Sequence, residues 1–338
     1  MEPLLSVLCI TYNQKDFIRQ CLDGFVMQKT NFPFIVLIND DCSTDGTADI
    51  IREYEQKYPE IIKPVYNEKN SGSLNNFIEN LSRAKTKYAA MCEGDDYWTD
   101  AYKLQKQIDF LEKNKDYAGC FHKVKVQWED KPGKKEIYPP ERFIKGRTKI
   151  AFKELLFRNY IQTNSAVYRW GFTAKNIKDY FPLEMEPGDW YLHLLHAKNG
   201  DFGFINETMG VYRKHSGGIW NEDGDMHTLK YGQQEIKFYY EVWKNLADKD
   251  EEYLNRMLLP KMKHIIDVYY RNSDFENVHI TALKYPELVK KLPKDDPKNL
   301  QARYKKYKKL FTNTLIMLIC ALVIILILSF ALFKGHII

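Results

Sequence analysis

Residues 93–96 read Glu-Gly-Asp-Asp, three carboxylates in four positions, directly behind the apolar stretch KYAAMC at 87–92. Carboxylates at the end of a buried strand repel one another and lose hydration. A divalent cation on Asp96 reverses that balance by supplying the missing positive charge. Two further polar sets follow apolar runs of strand length. Thr11-Tyr12-Asn13 follows 4–10, and Asn39-Asp40-Asp41 follows 34–38. Asp41 is the second residue of DDCSTDG, which would also make a good turn in any protein. Asp189 stands before the apolar pattern WYLHLLHAK, where an aspartate can cap a helix, act as a base, or do both.

The elements that must place these groups are legible as periodicity. A strand at 4–10 is followed by a helix with Phe17, Ile18, Cys21, Leu22 and Phe25 on one face. A strand at 34–38 leads through turn residues into a helix bearing Ala48, Ile50, Ile51 and Tyr54. A third strand at 61–66 is less regular because of Pro64, and a helix runs from about Leu74 to Ala84. After the carboxylates, Thr99 is expected to cap a helix with Leu104, Ile108 and Leu111. This alternation predicts an α/β domain with a mostly parallel sheet. Such sheets bind ligands at the C-terminal ends of their strands, so the three polar strand ends should converge on one crevice. Further on, the pattern predicts a strand at 118–128, an exposed charged loop at 129–147 and a strand at 159–170. A turn into a helix at 186–200, a strand ending in a flexible loop over 202–218 and two charged amphipathic helices between about Met226 and Asn272 complete it.

The chain has 338 residues, room for one large domain or two smaller ones. A net charge of +5 does not resemble a nucleic-acid footprint. The six cysteines show no CxxC spacing, and several lie inside apolar runs and read as small buried hydrophobes in a reducing compartment. No basic stretch leads into an apolar one at the start, so no secretory signal is expected. Neither GxGxxG nor GxxxxGK[ST] follows the first strand, so dinucleotide and P-loop readings lose their phosphate cradle. Residues 315–333 carry no charge and are long enough to cross a bilayer. Arg303, Lys305, Lys306, Lys308 and Lys309 precede them, and the positive-inside bias places the N-terminal bulk in the cytoplasm.

Taken in order, four segments resemble an inverting family 2 glycosyltransferase of the GT-A (nucleotide-diphospho-sugar transferase) fold, of the type that builds bacterial cell-surface polysaccharide. They are SVLCITYNQKDFIRQCLDGFVMQ, LINDDCSTDGTADII, NEKNSGSLNNFIENLSRAKTKYAAMCEGDDYW and GDWYLHLL. The resemblance is strong over 5–125 and patchier to 218. It implies a nucleotide-sugar donor, most often a uridine diphosphate sugar, held at Thr11, Tyr12, Asp41 and Asp95. It implies Mn2+ or Mg2+ on Asp96, with His215 as a further ligand; alone, His215 would read as a solvated loop residue. Asp189 matches the catalytic base, with Gly188 where an acidic neighbour is usual. Glu93 takes the first acidic position and, with Trp98, Trp190 and Trp220, is a candidate sugar or acceptor contact; each tryptophan could equally be packing.

The layout expected is a catalytic domain over 1–220 and a helical extension and linker over 221–300. A basic segment at 301–310 and one transmembrane helix at 311–333 follow. The activity expected is metal-dependent sugar transfer to an acceptor hydroxyl with inversion, on a glycan or lipid-linked acceptor at the cytoplasmic side of the cell membrane. The alternative is a membrane assembly protein that binds nucleotide sugar but has lost catalysis. A sugar nucleotidyltransferase is disfavoured, because TYNQKDF lacks a Gly-rich basic loop for a triphosphate.

Overall fold

A computed structural model describes residues 2–292, except 132, 174–176, 183 and 219–223. The apolar runs and helical stripes become β1 (Leu5–Thr11), α1 (Lys15–Val26), β2 (Phe34–Asp40), α2 (Thr47–Lys57), β3 (Ile62–Tyr66), α3 (Ser73–Ser82) and β4 (Tyr88–Met91). These strands are parallel neighbours in the order β3-β2-β1-β4. β1 is buried along nearly its whole length, as a strand covered on both faces must be. α1 buries Ile18, Cys21, Leu22 and Phe25, the face its spacing predicts. The strand order reverses between β1 and its two neighbours, which opens a crevice at their C-terminal ends.

The second half contributes β5 (Tyr97–Trp98), α4 (Lys103–Lys113), β6 (Gly119–Trp128), β7 (Glu136–Tyr138), α5 (Glu141–Ile144), β8 (Lys149–Ile150) and α6 (Phe152–Phe157). It continues with β9 (Val167–Arg169), α7 (Ile177–Tyr180), α8 (Gly188–Ala197), β10 (Phe202–Lys214) and α9 (Asp225–Glu241). β9 slots antiparallel between β4 and β6. β6 and β10 run parallel, and β5 lies antiparallel against β10. This last pairing returns the chain just behind the carboxylates to a strand far downstream.

Three local expectations are corrected. α4 begins at Lys103 rather than behind Thr99, because Asp100 Oδ1 accepts from the Tyr102 amide at 2.7 Å and makes a turn first. The charged loop at 129–147 contains β7, which pairs with β6, and α5. The stretch at 159–170 is strand only over β9, because a short 3-10 turn occupies Thr163–Ser165.

The described residues up to Pro260 form one compact unit, and the described residues from Lys261 on belong to a second. The first unit runs past 220: α9 buries Ile236 and Phe238, and the Phe238 ring lies 5.0 Å from that of Trp190. In the second unit, Asp274 caps the helix Phe275–Lys284 by accepting from the Asn277 amide. Among the described residues no helix is long and apolar enough to cross a membrane. The basic segment at 301–310 and the apolar run at 311–333 lie outside the described residues.

Candidate active site

The chain turns sharply after β4, and β1 holds the turn. The Cys92 amide donates to Leu8 O at 3.1 Å and the Gly94 amide to Ile10 O at 3.0 Å. A Cβ on Gly94 would stand 2.5 Å from Gln14 Oε1 and 2.8 Å from Thr11 Oγ1, so a larger residue would push the turn off β1. Thr11 Oγ1 donates to Gln14 Oε1 at 2.7 Å behind it, and Tyr12 is exposed beside it.

This turn gathers Glu93, Asp95 and Asp96, whose nearest carboxylate oxygens lie within 4.8 Å of one another. Asp96 is fully buried. Its Oδ1 accepts from the Arg213 amide at 2.8 Å, while Oδ2 has no hydrogen-bond partner. Burial, then the Asp95 and Glu93 carboxylates, push the Asp96 carboxyl well above its usual range. Burial and the Asp95, Asp189 and Glu186 carboxylates do the same to Glu93. An orphaned buried carboxylate oxygen is costly, and a hard divalent cation takes oxygen ligands of this kind. The donor set therefore fits Mn2+ or Mg2+.

β10 braces the turn from 117 residues downstream. Arg213 Nη1 donates to Asp95 O at 2.6 Å, Nη2 donates to Gln20 Oε1, and Nε lies 3.5 Å from Glu129. The guanidinium also sits over the rings of Tyr97 and Phe17. Arg213 thus grips the backbone of the turn. His215 Nε2 is 3.1 Å from Asp95 Oδ2, and its ring is 4.5 Å from that of Phe17. The expected approach of His215 to the carboxylates is present; Arg213 was missed. Its one signal in the sequence is its place two residues before His215, at the end of a strand.

At the end of β2, Asp41 is buried and its acceptors are in use. Oδ1 accepts from Asn67 Nδ2 at 2.9 Å, from the Ser71 amide at 2.9 Å and from Ser71 Oγ at 2.8 Å. Oδ2 accepts from the Gly72 amide at 2.9 Å. Asp41 thereby fastens the loop before α3. Its neighbour Asp40 keeps one buried oxygen, Oδ1, without a partner, and burial raises its pKa.

Asp189 lies in the first turn of α8, where the helix dipole favours an acid. Pro187 occupies the cap position, so Asp189 is not the N-cap. Its Oδ2 accepts from Thr163 Oγ1 at 2.8 Å and its Oδ1 from the Trp190 amide at 2.7 Å. Glu186 stands just upstream and is half-buried. Burial, with Asp189 adding to it, pushes the Glu186 carboxyl up to about 7 against the opposing Ser73 hydroxyl. His193 is fully buried and shares a 2.8 Å hydrogen bond with Tyr168; burial lowers it to about 4, so it stays neutral. Tyr212, half-buried in β10, is raised by burial and then by Asp96, Glu93, Asp95 and Asp189. Its phenol therefore stays neutral beside all four.

The tryptophan expectation is corrected. Trp98 is 2% exposed, donates from Nε1 to Asn164 O at 2.8 Å and lies under Lys103 Nζ at 3.8 Å. Trp190 donates to Leu155 O at 2.9 Å and packs on Phe238. Both indoles are core and offer no face to a sugar. Trp220 lies outside the described residues.

Residues 6–172 match Glycosyl transferase family 2. That part of the chain belongs to this family. Rv1520 of Mycobacterium tuberculosis H37Rv, named as an uncharacterized protein, is 45% identical over 217 residues, 64% of this chain and 60% of that protein. The match thus spans less than two thirds of the relative. Staphylococcus aureus TarS 1–349, solved with UDP-GlcNAc, is 18% identical with a TM-score of 0.51, over 78% of this chain and 79% of that one. The mannosyltransferase PcManGT of Pyrobaculum calidifontis, solved with GDP-Man and Mn2+, is 14% identical with a TM-score of 0.52, over 85% and 82%. At such identities the likeness is one of fold, and it is the GT-A fold that the family 2 segment builds here.

Proposed function

We propose that this family 2 protein transfers a sugar from a nucleoside-diphosphate donor to an acceptor hydroxyl with inversion. The observation that carries the proposal is Asp96 Oδ2, a buried carboxylate oxygen without a partner, in a three-carboxylate turn that shares its electrostatic field with Asp189. Glu93, Asp95 and Asp96, with His215 beside them, would hold Mn2+ or Mg2+; when bound, the ion supplies positive charge against a departing diphosphate. Thr11, Tyr12 and Asp95 line the nucleotide side, and Asp41 shapes it by fixing the loop at 67–72. Asp189 takes the proton of the acceptor hydroxyl as that oxygen attacks the anomeric carbon. The new C–O bond forms on the face opposite the breaking bond to phosphate, so a single displacement inverts the centre.

The donor favoured is a uridine diphosphate sugar, as bound by TarS, although PcManGT binds a guanosine diphosphate sugar in a similar fold. The acceptor favoured is a glycan or glycolipid of the cell surface. The uncharged run at 315–333 and its basic flank would hold the catalytic domain at the cytoplasmic face of the membrane. A panel of nucleotide sugars with Mn2+ and glycan acceptors tests the proposal. The full chain should release nucleoside diphosphate and form a product of inverted anomeric configuration by NMR. Asp189→Asn should lower kcat by about 10²–10⁴-fold with donor affinity nearly unchanged. Donor binding without turnover of any nucleotide sugar would instead mark a binding protein.

A further inference from the structure

Position 188 has little room for an acid. A Cβ there would stand 3.1 Å from Leu74 Cδ1 and 3.6 Å from Phe77 Cδ1, so α3 packs closely against the start of α8. The acid stands at Glu186 instead, ahead of Pro187. Its carboxylate is held from two sides. Ser73 Oγ donates to Oε1 at 3.1 Å, and the Gly188 amide approaches Oε2 at 3.3 Å. Ser73 is the first residue of α3, directly behind the loop that Asp41 fastens. The acid is therefore anchored to the nucleotide half of the site while it stands beside the base. Asp189 acts on Glu186, and Glu186 in turn acts on Glu93, so these carboxylates share one space. Like charges kept half-buried together cost free energy unless something between them donates hydrogen bonds.

We propose that Glu186 is an acceptor-binding residue. It takes a hydrogen bond from a second hydroxyl of the acceptor, next to the hydroxyl that Asp189 deprotonates, so the site selects a neutral sugar unit with adjacent hydroxyls over a phosphate-ended acceptor. This role rests on the transfer reaction proposed above. A carboxylate has about four acceptor positions, and Glu186 uses two, so capacity remains for a ligand. A phosphate dianion at the same place would face Glu186 and Asp189 together, and like charges at short range disfavour it.

The test uses the full chain with Mn2+, the donor that it turns over, and three acceptors: a methyl glycoside with adjacent hydroxyls, its monodeoxy analogue and a polyprenyl phosphate. Glu186→Gln keeps size and can still accept from Ser73. It should raise KM for the glycoside by about 10- to 100-fold, the loss expected for a hydrogen bond to a charged group. The deoxy analogue should show no such penalty, and the donor Kd by calorimetry should not move. An unchanged glycoside KM, an equal change in donor Kd, or a preference for polyprenyl phosphate in the unsubstituted protein would overturn this role alone. Absence of transfer by the unsubstituted protein would overturn the function and this role with it.

Discussion

Two buried aspartates close two neighbouring regions of the cleft and are held in opposite ways. Asp41, behind β2, has both oxygens filled by four hydrogen bonds from one loop. Asp96, behind β4, has one partner on Oδ1 and none on Oδ2. Their exposures, 2% and 0%, do not distinguish them. Burial therefore does not separate the two; hydrogen-bond satisfaction does. A satisfied carboxylate is a clasp that fixes the loop ahead of α3. An unsatisfied one, crowded by Asp95 and Glu93, is where a cation would relieve the cost.

The largest effect should come from Asp96→Asn. Loss of the charge should abolish measurable Mn2+ binding by calorimetry and cut transfer by about 10³-fold, the scale of several kcal/mol of metal stabilisation. The same change relieves repulsion, so the melting temperature without metal should hold or rise. Without metal, unsubstituted protein should lose stability as pH rises. The folded-state pKa of Glu186 is about 7 against an ordinary 4.5, and those of Glu93 and Asp96 are raised in the same direction. The folded state then keeps protons that the unfolded state has released, and stability falls through the window from 4.5 to 7. A destabilised metal-free Asp96→Asn would break the comparison.

Asp41→Asn should do the reverse. It replaces a charged acceptor of four hydrogen bonds, and the amide can no longer accept at both ends. A loss of about 1–3 kcal/mol in denaturant unfolding is expected, with no change in metal affinity. If stability is untouched while Mn2+ binding collapses, Asp41 belongs with Asp96 and the contrast is wrong.

The smallest effect asks whether the lesson extends to a cation. Lys103 is fully buried, its Nζ has no hydrogen-bond partner among the described residues, and it rests over the ring of Trp98. Burial lowers its pKa from 10.5 to about 7. Between those values the unfolded chain holds a proton that the folded chain lacks, so this group makes stability rise with pH through that window. Lys103→Met should flatten the rise and lift the melting temperature at pH 7 by a few degrees, since replacing a poorly paired buried charge is often stabilising by about 1–4 kcal/mol. A lower melting temperature would mean that the contact with Trp98 outweighs the burial cost.

The sequence by itself determined the alternation of strands and helices, the mostly parallel sheet and the three polar strand ends. These follow from local periodicity and from the rule that such sheets bind ligands at one edge. The carboxylate turn was legible for the same reason: three acids behind a buried strand have few physical explanations. Tertiary structure alone decided what surrounds them. The grip of Arg213 depends on β10 returning beside β5, a pairing between segments more than a hundred residues apart. Trp98 and Trp190 lie beside site motifs in sequence, yet packing from Asn164, Leu155 and Phe238 puts them in the core. Whether Asp41 is open or filled depends on where Ser71 and Gly72 lie, and the place of Glu186 on how closely α3 approaches Gly188. Burial and hydrogen-bond satisfaction are set by neighbours distant in the chain, and no local pattern encodes them.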